Sequence, residues 1–356
     1  MEIVMVVLVG VMVMVNLIPL LTYEHWTVRF FDFPYAQFTV INVVILLLLV
    51  CFPLSNPGYH YLAFAALCLT LLYRLWIIYP YTRWAARKVP DADIDNQTHE
   101  RLKIISANVL MSNDDYKGLI EMVKGEDPDI LMLVEASHAW EEAIREDMNQ
   151  LFPHRMLEPL DNTYGLLLYS KVTIKEGTIK YLIEENVPSV HIIFELKNGQ
   201  LVKFFGVHPK PPSPSENSTS IQRDAELVMV GRESRESDMP VIVAGDLNDV
   251  AWSHTTRLFI RVSELLDPRM GRGFFNTFHA HYPLLRWPLD HLFLSTDFKV
   301  AGIKRLPNFH SDHFPICIEV VLNPSNHAVS ATETTDQEDR EEAQEKITDA
   351  KEITSN

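Results

Sequence analysis

Six short segments of the chain place acidic, amide and imidazole side chains at or near the ends of apolar runs. They carry Asn108, Glu135, His208, Asp246 with Asn248, Asp290, and Asp312 with His313. Carboxylates can hold a divalent cation or accept a proton from water, and imidazoles and amides can donate hydrogen bonds to phosphate oxygens. Gathered in one place, these side chains would suit a metal-assisted attack of water on a phosphate ester.

The most informative segment is the apolar run 241–244, which is followed by Gly245, Asp246 and Asn248. A buried strand would deliver both polar side chains to its C-terminal end, and the glycine permits a close backbone approach. Asp246 could then take or orient a proton of water, and Asn248 could donate to a phosphate oxygen or hold a metal-bound group. The alternative is a simple turn or helix cap, a common use of Asp and Asn after a strand.

Two further polar residues close apolar strand candidates early in the chain: Asn108 at the end of the candidate 102–109, and Glu135 after residues 130–134. If these strands are neighbours, both side chains meet at one edge of a sheet. A carboxylate in that position must be paired, solvated or bound to metal, and its oxygen atoms suit Mg²⁺. The alternatives are a turn-forming Asn and a carboxylate that stabilises the N-terminus of a following helix.

The segment 311–315 reads Ser-Asp-His-Phe-Pro and precedes an apolar strand. On a loop, Asp312 could ligate a metal or orient water, and His313 could donate to a phosphate oxygen. Asp290 is the candidate partner that fixes the tautomer of His313, although it could instead be a solvated carboxylate at a strand edge. His208 ends another apolar run and precedes a proline-rich loop, where it could contact substrate or serve as an ordinary hydrogen-bonded histidine.

Other chemistries find little support in the sequence. His279 and His281 alternate, but no cysteine or third histidine is near them, so a zinc site is not expected. Three cysteines give no disulfide framework. The chain has neither a glycine-rich phosphate loop nor a Ser or Cys nucleophile motif.

Taken together, the polar segments resemble the endonuclease/exonuclease/phosphatase superfamily over about residues 101–322. The Gly-Asp-x-Asn and Ser-Asp-His-x-Pro pieces carry the most specific part of this resemblance. The superfamily includes pancreatic-type deoxyribonucleases, apurinic endonucleases, neutral sphingomyelinases and inositol-polyphosphate 5-phosphatases. With its apolar N-terminus, the chain looks like a membrane-anchored bacterial branch of this superfamily.

The resemblance implies an α/β (α+β) fold, a four-layer sandwich of two mixed β-sheets flanked by helices, with a divalent ion at one edge. The ion would be Mg²⁺, or Mn²⁺, with Glu135 as its main ligand and Asp312 near it. Apurinic endonucleases carry an Asp two residues after the first Asn, where this chain has Leu110. Leucine cannot coordinate a metal, which weakens an abasic-site activity and favours a single ion.

The resemblance also implies the roles of the other site residues. Asp246 would position or deprotonate the attacking water, and His313, oriented by Asp290, would contact the scissile phosphate. The remaining residues would hold the phosphate and the catalytic carboxylates (Asn108 and Asn248) or bind phosphate from the opposite side (His208).

The elements that must position these residues alternate between strands and helices. Strands are predicted at 102–109, 130–134, 166–169, 190–196, 201–207, 241–244, 292–294 and 316–321, and helices at 116–124, 138–149 and 220–232. Asn198-Gly199 is a strong hairpin-turn signal. A mixed pair of sheets accommodates this order better than a purely parallel sheet.

Four regions follow from composition: a membrane anchor over 1–88, a polar linker over 89–100, a catalytic domain over 101–322 and an acidic, disordered tail over 323–356. The alternative for part of the tail is a short helix near 338–351, for which the sequence shows no partner. The anchor holds three apolar stretches, 3–22, 37–54 and 60–80, each close to the ~20 residues that span a bilayer. We therefore expect a multi-pass protein of the inner or plasma membrane. A buried globular helix bundle is the alternative. The basic residues after the third stretch favour a cytoplasmic catalytic domain.

The net charge of the predicted catalytic domain argues against duplex DNA as the substrate. Residues 100–322 hold 23 Lys and Arg against 32 Asp and Glu, a net charge of −9, whereas a duplex-DNA binder usually presents a basic face. The sequence therefore predicts a membrane-anchored phosphoesterase acting on a phosphodiester or phosphomonoester in a lipid head group, a small molecule or a nucleic acid. A metal-dependent nuclease and a catalytically silent membrane scaffold are the alternatives. No obligate protein partner is evident, and the bilayer itself is the expected partner.

Overall fold

The computed structural model describes residues 2–21, 23–93, 100–323 and 332–355. The helices are α1 (Glu2–Leu17), α2 (Trp26–Arg29), α3 (Tyr35–Cys51), α4 (Pro57–Ile78), α5 (Tyr116–Glu126), α6 (His138–Leu151), α7 (Ile221–Arg235), α8 (His254–Ser263) and α9 (Gln337–Ser355). The strands are β1 (Arg101–Asn108), β2 (Ile130–Val134), β3 (His154–Glu158), β4 (Leu166–Ser170), β5 (Thr173–Lys180), β6 (Ser189–Glu195), β7 (Leu201–Val207), β8 (Val241–Asp246), β9 (Asp290–Leu294), β10 (Phe298–Arg305) and β11 (Ile316–Leu322).

The strands form two mixed sheets, which confirms the predicted fold class. The first sheet has the order β10-β11-β1-β2-β4-β3, and the second has the order β5-β6-β7-β8-β9. Each sheet contains one parallel pair, β1 with β2 and β7 with β8, whereas the remaining neighbours are antiparallel. Strands of a parallel pair end at the same edge of their sheet. The topology therefore fixes where the polar residues that follow β1, β2, β7 and β8 must lie.

Three apolar layers hold the sandwich together. Side chains such as Ile104, Met132 and Phe204 fill the space between the two sheets. Helices α5 and α6 cover the outer face of the first sheet, with Trp140 at the centre of that layer. Helices α7 and α8 cover the second sheet, where Phe259 packs against the strands. Because both faces of the central strands are covered, they read as continuous apolar runs in the sequence.

Helices α1, α3 and α4 pack on one another at the N-terminus. Glu2–Leu20 and Pro57–Tyr81 are each long and apolar enough to cross a membrane. A third span results if Trp26–Asp32 and Tyr35–Cys51, which meet at an angle of 70°, count as one. The three predicted stretches thus coincide with apolar helices, and spanning by all three stays a prediction.

The bundle joins the catalytic domain through buried contacts instead of a free tether. Tyr81 donates a hydrogen bond to the carbonyl of Ala251 at 2.6 Å, and the indole of Trp252 donates to the carbonyl of Asp32 at 2.8 Å. The predicted linker 89–100 is docked in its first part, since Val89 is buried and the amide of Ala92 donates to a strand carbonyl. Its residues 94–99 lie outside the described part of the chain.

The expectation of a disordered tail over 323–356 is wrong for the part that forms α9. Ala343, Ile347 and Ala350 are buried against α7 and α8, although the helix is otherwise polar. The two alanines let the helix lie close to its neighbours, so few apolar atoms suffice for packing. Charged contacts add to this, including Arg261 Nε with Asp339 Oδ1 at 2.8 Å. Residues 324–331 of the predicted tail lie outside the described residues.

Candidate active site

The site begins where two sheets present their strand ends to each other. Asn108 is the last residue of β1, and Glu135 follows the last residue of the parallel neighbour β2. The Asn108 amide donates to Glu135 Oε1 at 2.7 Å and to Asp246 Oδ2, at the end of β8, at 3.1 Å. One amide therefore links the carboxylates of the two sheets. Glu135 has a φ of 57°, which turns the chain sharply at this edge.

Asp246 and Asp290 lie opposite each other in the antiparallel pair β8 and β9, and His313 bridges them. His313 Nδ1 lies 2.7 Å from Asp290 Oδ2, and its Nε2 lies 3.5 Å from Asp246 Oδ2. Burial lowers the pKa of His313, but the carboxylates of Asp290 and Asp246 outweigh it and raise that pKa to about 10. His313 is therefore held as an imidazolium that can donate from both nitrogens.

Asn248 and His208 complete the side of the site built on the second sheet. The backbone amide of Asn248 donates to Asp246 Oδ1 at 2.9 Å, and its side chain donates to the carbonyl of Pro209 at 3.0 Å. His208 is buried, with Nδ1 3.2 Å from the carbonyl oxygen of Asp246. If Nδ1 carries the proton for that contact, Nε2 is left as the atom available to a ligand.

Asp312 lies in a loop that is bound to the first sheet. The hydroxyl of Ser311 donates to the carbonyl of Asn108 at 2.7 Å and accepts from the amide of His313 at 3.1 Å. Asp312 Oδ1 is buried and has no hydrogen-bond partner within the part of the chain that the structure describes. The contribution of Ser311 was not predicted, although it belongs to the Ser-Asp-His-x-Pro segment.

The donor set fits a hard divalent cation. Burial raises the pKa of both Glu135 and Asp246, because the protein excludes water from these carboxyl groups and thereby disfavours their charged forms. Asp290 Oδ1, like Asp312 Oδ1, is buried without a partner among the described residues. An oxygen-seeking dication would relieve this concentration of negative charge.

The structure offers a second grouping of metal-ligating side chains beside the predicted pair Glu135 and Asp312. Ligand atoms of Asp246, Asp290 and His313 lie within 4.8 Å of one another. In this group both nitrogens of His313 face carboxylates, Nδ1 at 2.7 Å from Asp290 and Nε2 at 3.5 Å from Asp246. The roles of Glu135 and Asp312 as metal ligands stay predictions.

A buried charged network supports the loop behind Asp246. Arg223 on α7 donates from Nη1 to the carbonyl of Asn248 at 2.9 Å and pairs with Asp224 and Asp249 at 2.9 and 3.2 Å. Sequence reasoning missed this arginine because it lies in a helix, far from the polar segments in the chain. All eight predicted site residues do lie in one connected region, whereas their individual roles stay predictions.

Comparisons with known proteins agree with this architecture. The model of the Endonuclease/Exonuclease/phosphatase family matches residues 105–313, more than half of the chain. No curated protein sequence matches significantly.

Solved structures with the same fold include D. rerio TDP2 complexed with a single-strand DNA product, with TM-score 0.53, 17% identity, and coverage of 62% of this chain and 99% of that one. An endonuclease/exonuclease/phosphatase family protein from Bacteroides thetaiotaomicron aligns with TM-score 0.51 and 19% identity, over 64% of this chain and 99% of that one. The human Nocturnin catalytic domain with a bound sulfate anion gives TM-score 0.51 and 16% identity, over 67% and 96%. At these identities the similarity establishes the fold.

Proposed function

We propose, since this chain belongs to the Endonuclease/Exonuclease/phosphatase family, that it is a membrane-anchored hydrolase that uses a divalent cation to add water across a phosphate ester bond. The observation that supports this most is the continuous path Glu135–Asn108–Asp246–His313–Asp290 at one edge of the sandwich. The path brings together a carboxylate that would bind a cation (Glu135), a carboxylate that would orient water (Asp246) and an imidazolium that would contact the phosphate (His313).

The geometry suggests how the residues divide the work. Asp246, fixed by the Asn108 amide and the Asn248 backbone, would orient the attacking water and accept its proton. The oxygen of that water bonds to phosphorus, the ester P–O bond breaks, and the leaving oxygen takes up a proton from solvent, to which Asp246 later returns its own. His313, held by Asp290, would donate a hydrogen bond to the phosphoryl group as negative charge develops.

The remaining groups would bind the substrate and its counterion. His208 and Asn248 lie on the second sheet, from where they can contact the phosphate on the side opposite Glu135. A dication, Mg²⁺ or Mn²⁺, held by Glu135 with Asp312 nearby, would neutralise charge on the phosphoryl oxygens. This arrangement serves phosphodiesters and phosphomonoesters alike.

A nuclease is the second candidate function. It is favoured by the fold shared with a TDP2 structure that contains a DNA product. The net charge of −9 over residues 100–322 argues against tight duplex binding, because phosphate contacts require clustered Lys and Arg. A steep fall in nucleic-acid affinity with salt would support the nuclease. A catalytically silent scaffold is disfavoured because every residue type of the proposed mechanism is present.

The test is a substitution in the site compared with a matched one outside it. Asp246→Asn should lower turnover of a soluble aryl phosphodiester by a factor on the order of 10²–10⁴. Asp161, which forms an exposed pair with His138 at 3.1 Å, provides the control Asp161→Asn. The assay uses the full chain in detergent with Mg²⁺ or Mn²⁺, and thermal unfolding confirms equal folding. Wild-type turnover by folded Asp246→Asn would end the proposal.

The membrane part of the proposal has its own test. The full chain should remain in the membrane fraction after alkaline carbonate extraction, as expected of helices that span a bilayer. If the catalytic domain is cytoplasmic, protease added to intact cells leaves it uncut, and protease added to inverted vesicles removes it. Release of the chain by carbonate would contradict multi-pass insertion.

A further inference from the structure

The loop formed by residues 278–287 connects the catalytic pocket to the end of an apolar N-terminal helix. At its base, the ring of Phe278 lies 4.9 Å from that of His313, and the amide of Ala280 donates to the carbonyl of Asp312 at 2.6 Å. Farther out, the side chain of Gln37 donates to the carbonyl of Leu284 at 2.9 Å. The loop therefore contacts the site and the first turn of α3 at once.

The tip of this loop is apolar and exposed. Tyr282, Leu284 and Leu285 have exposed fractions of 59%, 84% and 49%. A cluster of exposed large apolar side chains marks a surface that meets a partner or a membrane. These residues belong to the catalytic domain and lie outside the apolar helices, so the composition of the anchor does not account for their exposure.

The neighbouring helix α3 indicates that the surface which the loop tip meets is a membrane. Helix α3 carries no charged residue, and Val40 and Leu47 on it are 64% and 61% exposed, as expected of a surface covered by lipid. Gln37 lies two residues after the start of α3, only ~3 Å along its axis. The carbonyl of Leu284 is therefore at the depth at which α3 enters the apolar layer.

Exposed aromatic side chains lie at the same end of the bundle. Trp84 is 86% exposed and follows the apolar span Pro57–Tyr81, Tyr79 is 53% exposed in the last turn of that span, and Phe30 is 55% exposed in the turn that precedes α3. Aromatic rings are enriched at the boundary between lipid and water. The boundary thus passes close to the loop tip and to the pocket behind it.

The pocket rim next to the loop is cationic. The guanidinium groups of Arg286 and Arg305 lie 4.9 and 4.0 Å from the centre of the Phe314 ring, directly after His313 in the chain. In the part of the chain that the structure describes, no carboxylate forms an ion pair with either arginine. Two adjacent guanidinium groups suit an anionic head group at a membrane surface.

We propose that the 278–287 loop inserts into the lipid–water boundary, and that the hydrolysed phosphate ester belongs to an anionic membrane phospholipid. This inference rests on the proposed hydrolase function and adds the substrate class. The loop would hold the pocket mouth at the depth of the head groups, so a lipid reaches His313 without leaving the bilayer. Water adds across its P–O ester bond as it would in a soluble ester.

Insertion can be measured without any activity. A fluorophore sensitive to polarity would be attached at Leu284→Cys in a Cys51→Ser/Cys68→Ser background; the third cysteine, Cys317, is buried. The control label is at Asn198→Cys, in the β6–β7 turn at the opposite end of the second sheet, roughly 20 Å away along the strands. In phosphatidylcholine–phosphatidylglycerol vesicles, brominated lipids should quench the first label and leave the second unquenched. Equal behaviour of both labels would overturn the proposal.

Substrate class is tested with the full chain in the same vesicles. The double variant Leu284→Ser/Leu285→Ser should lower hydrolysis of bilayer phosphatidylglycerol or phosphatidylinositol phosphate at least about tenfold, as loss of two inserted leucines predicts. Hydrolysis of soluble bis(p-nitrophenyl) phosphate should be unchanged, and Leu284→Phe should retain lipid hydrolysis because it stays apolar.

The outcomes separate the two proposals. Hydrolysis of the soluble diester without hydrolysis of any bilayer lipid would refute the lipid substrate and leave the hydrolase function standing. An equal loss on both substrates in the double variant would indicate damage to the pocket and would also refute the role of the loop. No turnover of any phosphate ester by the wild-type chain would refute the hydrolase function itself.

Discussion

Lys346 on α9 is the perturbation that most directly tests the role of the C-terminal helix. Its Nζ lies 2.6 Å from Glu24 Oε1, in the segment after α1, and 3.0 Å from Asp224 Oδ2 on α7. Burial alone would raise the pKa of Asp224, but the cations Lys346 and Arg223 outweigh it and hold that pKa at about 2. One ammonium group therefore joins the anchor, the catalytic domain and the C-terminal helix.

Lys346→Met keeps most of the side-chain volume and removes the charge. Breaking a buried pair on one side costs about 3–5 kcal/mol, since it leaves an uncompensated carboxylate. Asp224 retains Arg223 at 2.9 Å, so we expect the lower end, about 3 kcal/mol. Adding Glu24→Gln to Lys346→Met should restore at least about 1 kcal/mol of the free energy of unfolding, because one of the two carboxylates that lost the ammonium group is then replaced by a neutral amide.

The measurement is unfolding of the full chain in detergent by heat and by urea, together with hydrogen exchange of the α9 amides. Lys351→Met, an exposed site on the same helix, is the control and should stay within ~0.5 kcal/mol of wild type. Because the pKa of Asp224 is depressed, its stabilising contribution is present above about pH 4 and is lost as the pH falls toward 2. Equal stability of Lys346→Met and Lys351→Met would refute the reasoning.

Three further outcomes follow from the structure. Burial, with help from the Glu184 carboxylate, raises the pKa of Glu226 from 4.5 to about 8, so stability should fall as the pH rises from 4.5 to about 8, and Glu226→Gln should abolish that slope in urea titrations. Gly245→Ala should lower both the melting temperature and the activity, because its Cβ would meet the Val207 carbonyl, whereas Gly302→Ala in open space should be silent. EDTA should abolish hydrolysis, and Mg²⁺ should raise the melting temperature of wild type but not of a Glu135→Gln variant.

The sequence predicted the central strands of both sheets and missed strands at the sheet edges. Strands β2 and β7 were predicted at their observed bounds, since burial on both faces leaves a continuous apolar run. Strands β3, β5 and β10 were missed because they lie toward or at sheet edges, where one face is solvated and polar residues interrupt the pattern. Helix α8 was missed although a serine cap, Ser253, directly precedes its ten residues.

The pocket was predictable for a topological reason. Asn108 and Asp246 each end a strand and His208 directly follows one, and the end of an apolar run is visible in a sequence without any structure. The partners of α9 were not visible, because a helix with few apolar residues gives a weak pattern, and its contacts with Glu24 and Asp224 join residues more than a hundred positions apart. Long-range charge pairing leaves no local signal.

The pocket also depends on how closely the two sheets approach. Asn108 belongs to the first sheet and Asp246 to the second, so their 3.1 Å hydrogen bond requires the strand ends to lie almost in contact. Gly206 and Gly245 make this possible: a Cβ on either would come within 2.9 or 3.2 Å of the Met132 side chain, which fills the gap between the sheets. The missing side chains of two glycines thus bring the catalytic groups together, as a close-packed interior demands.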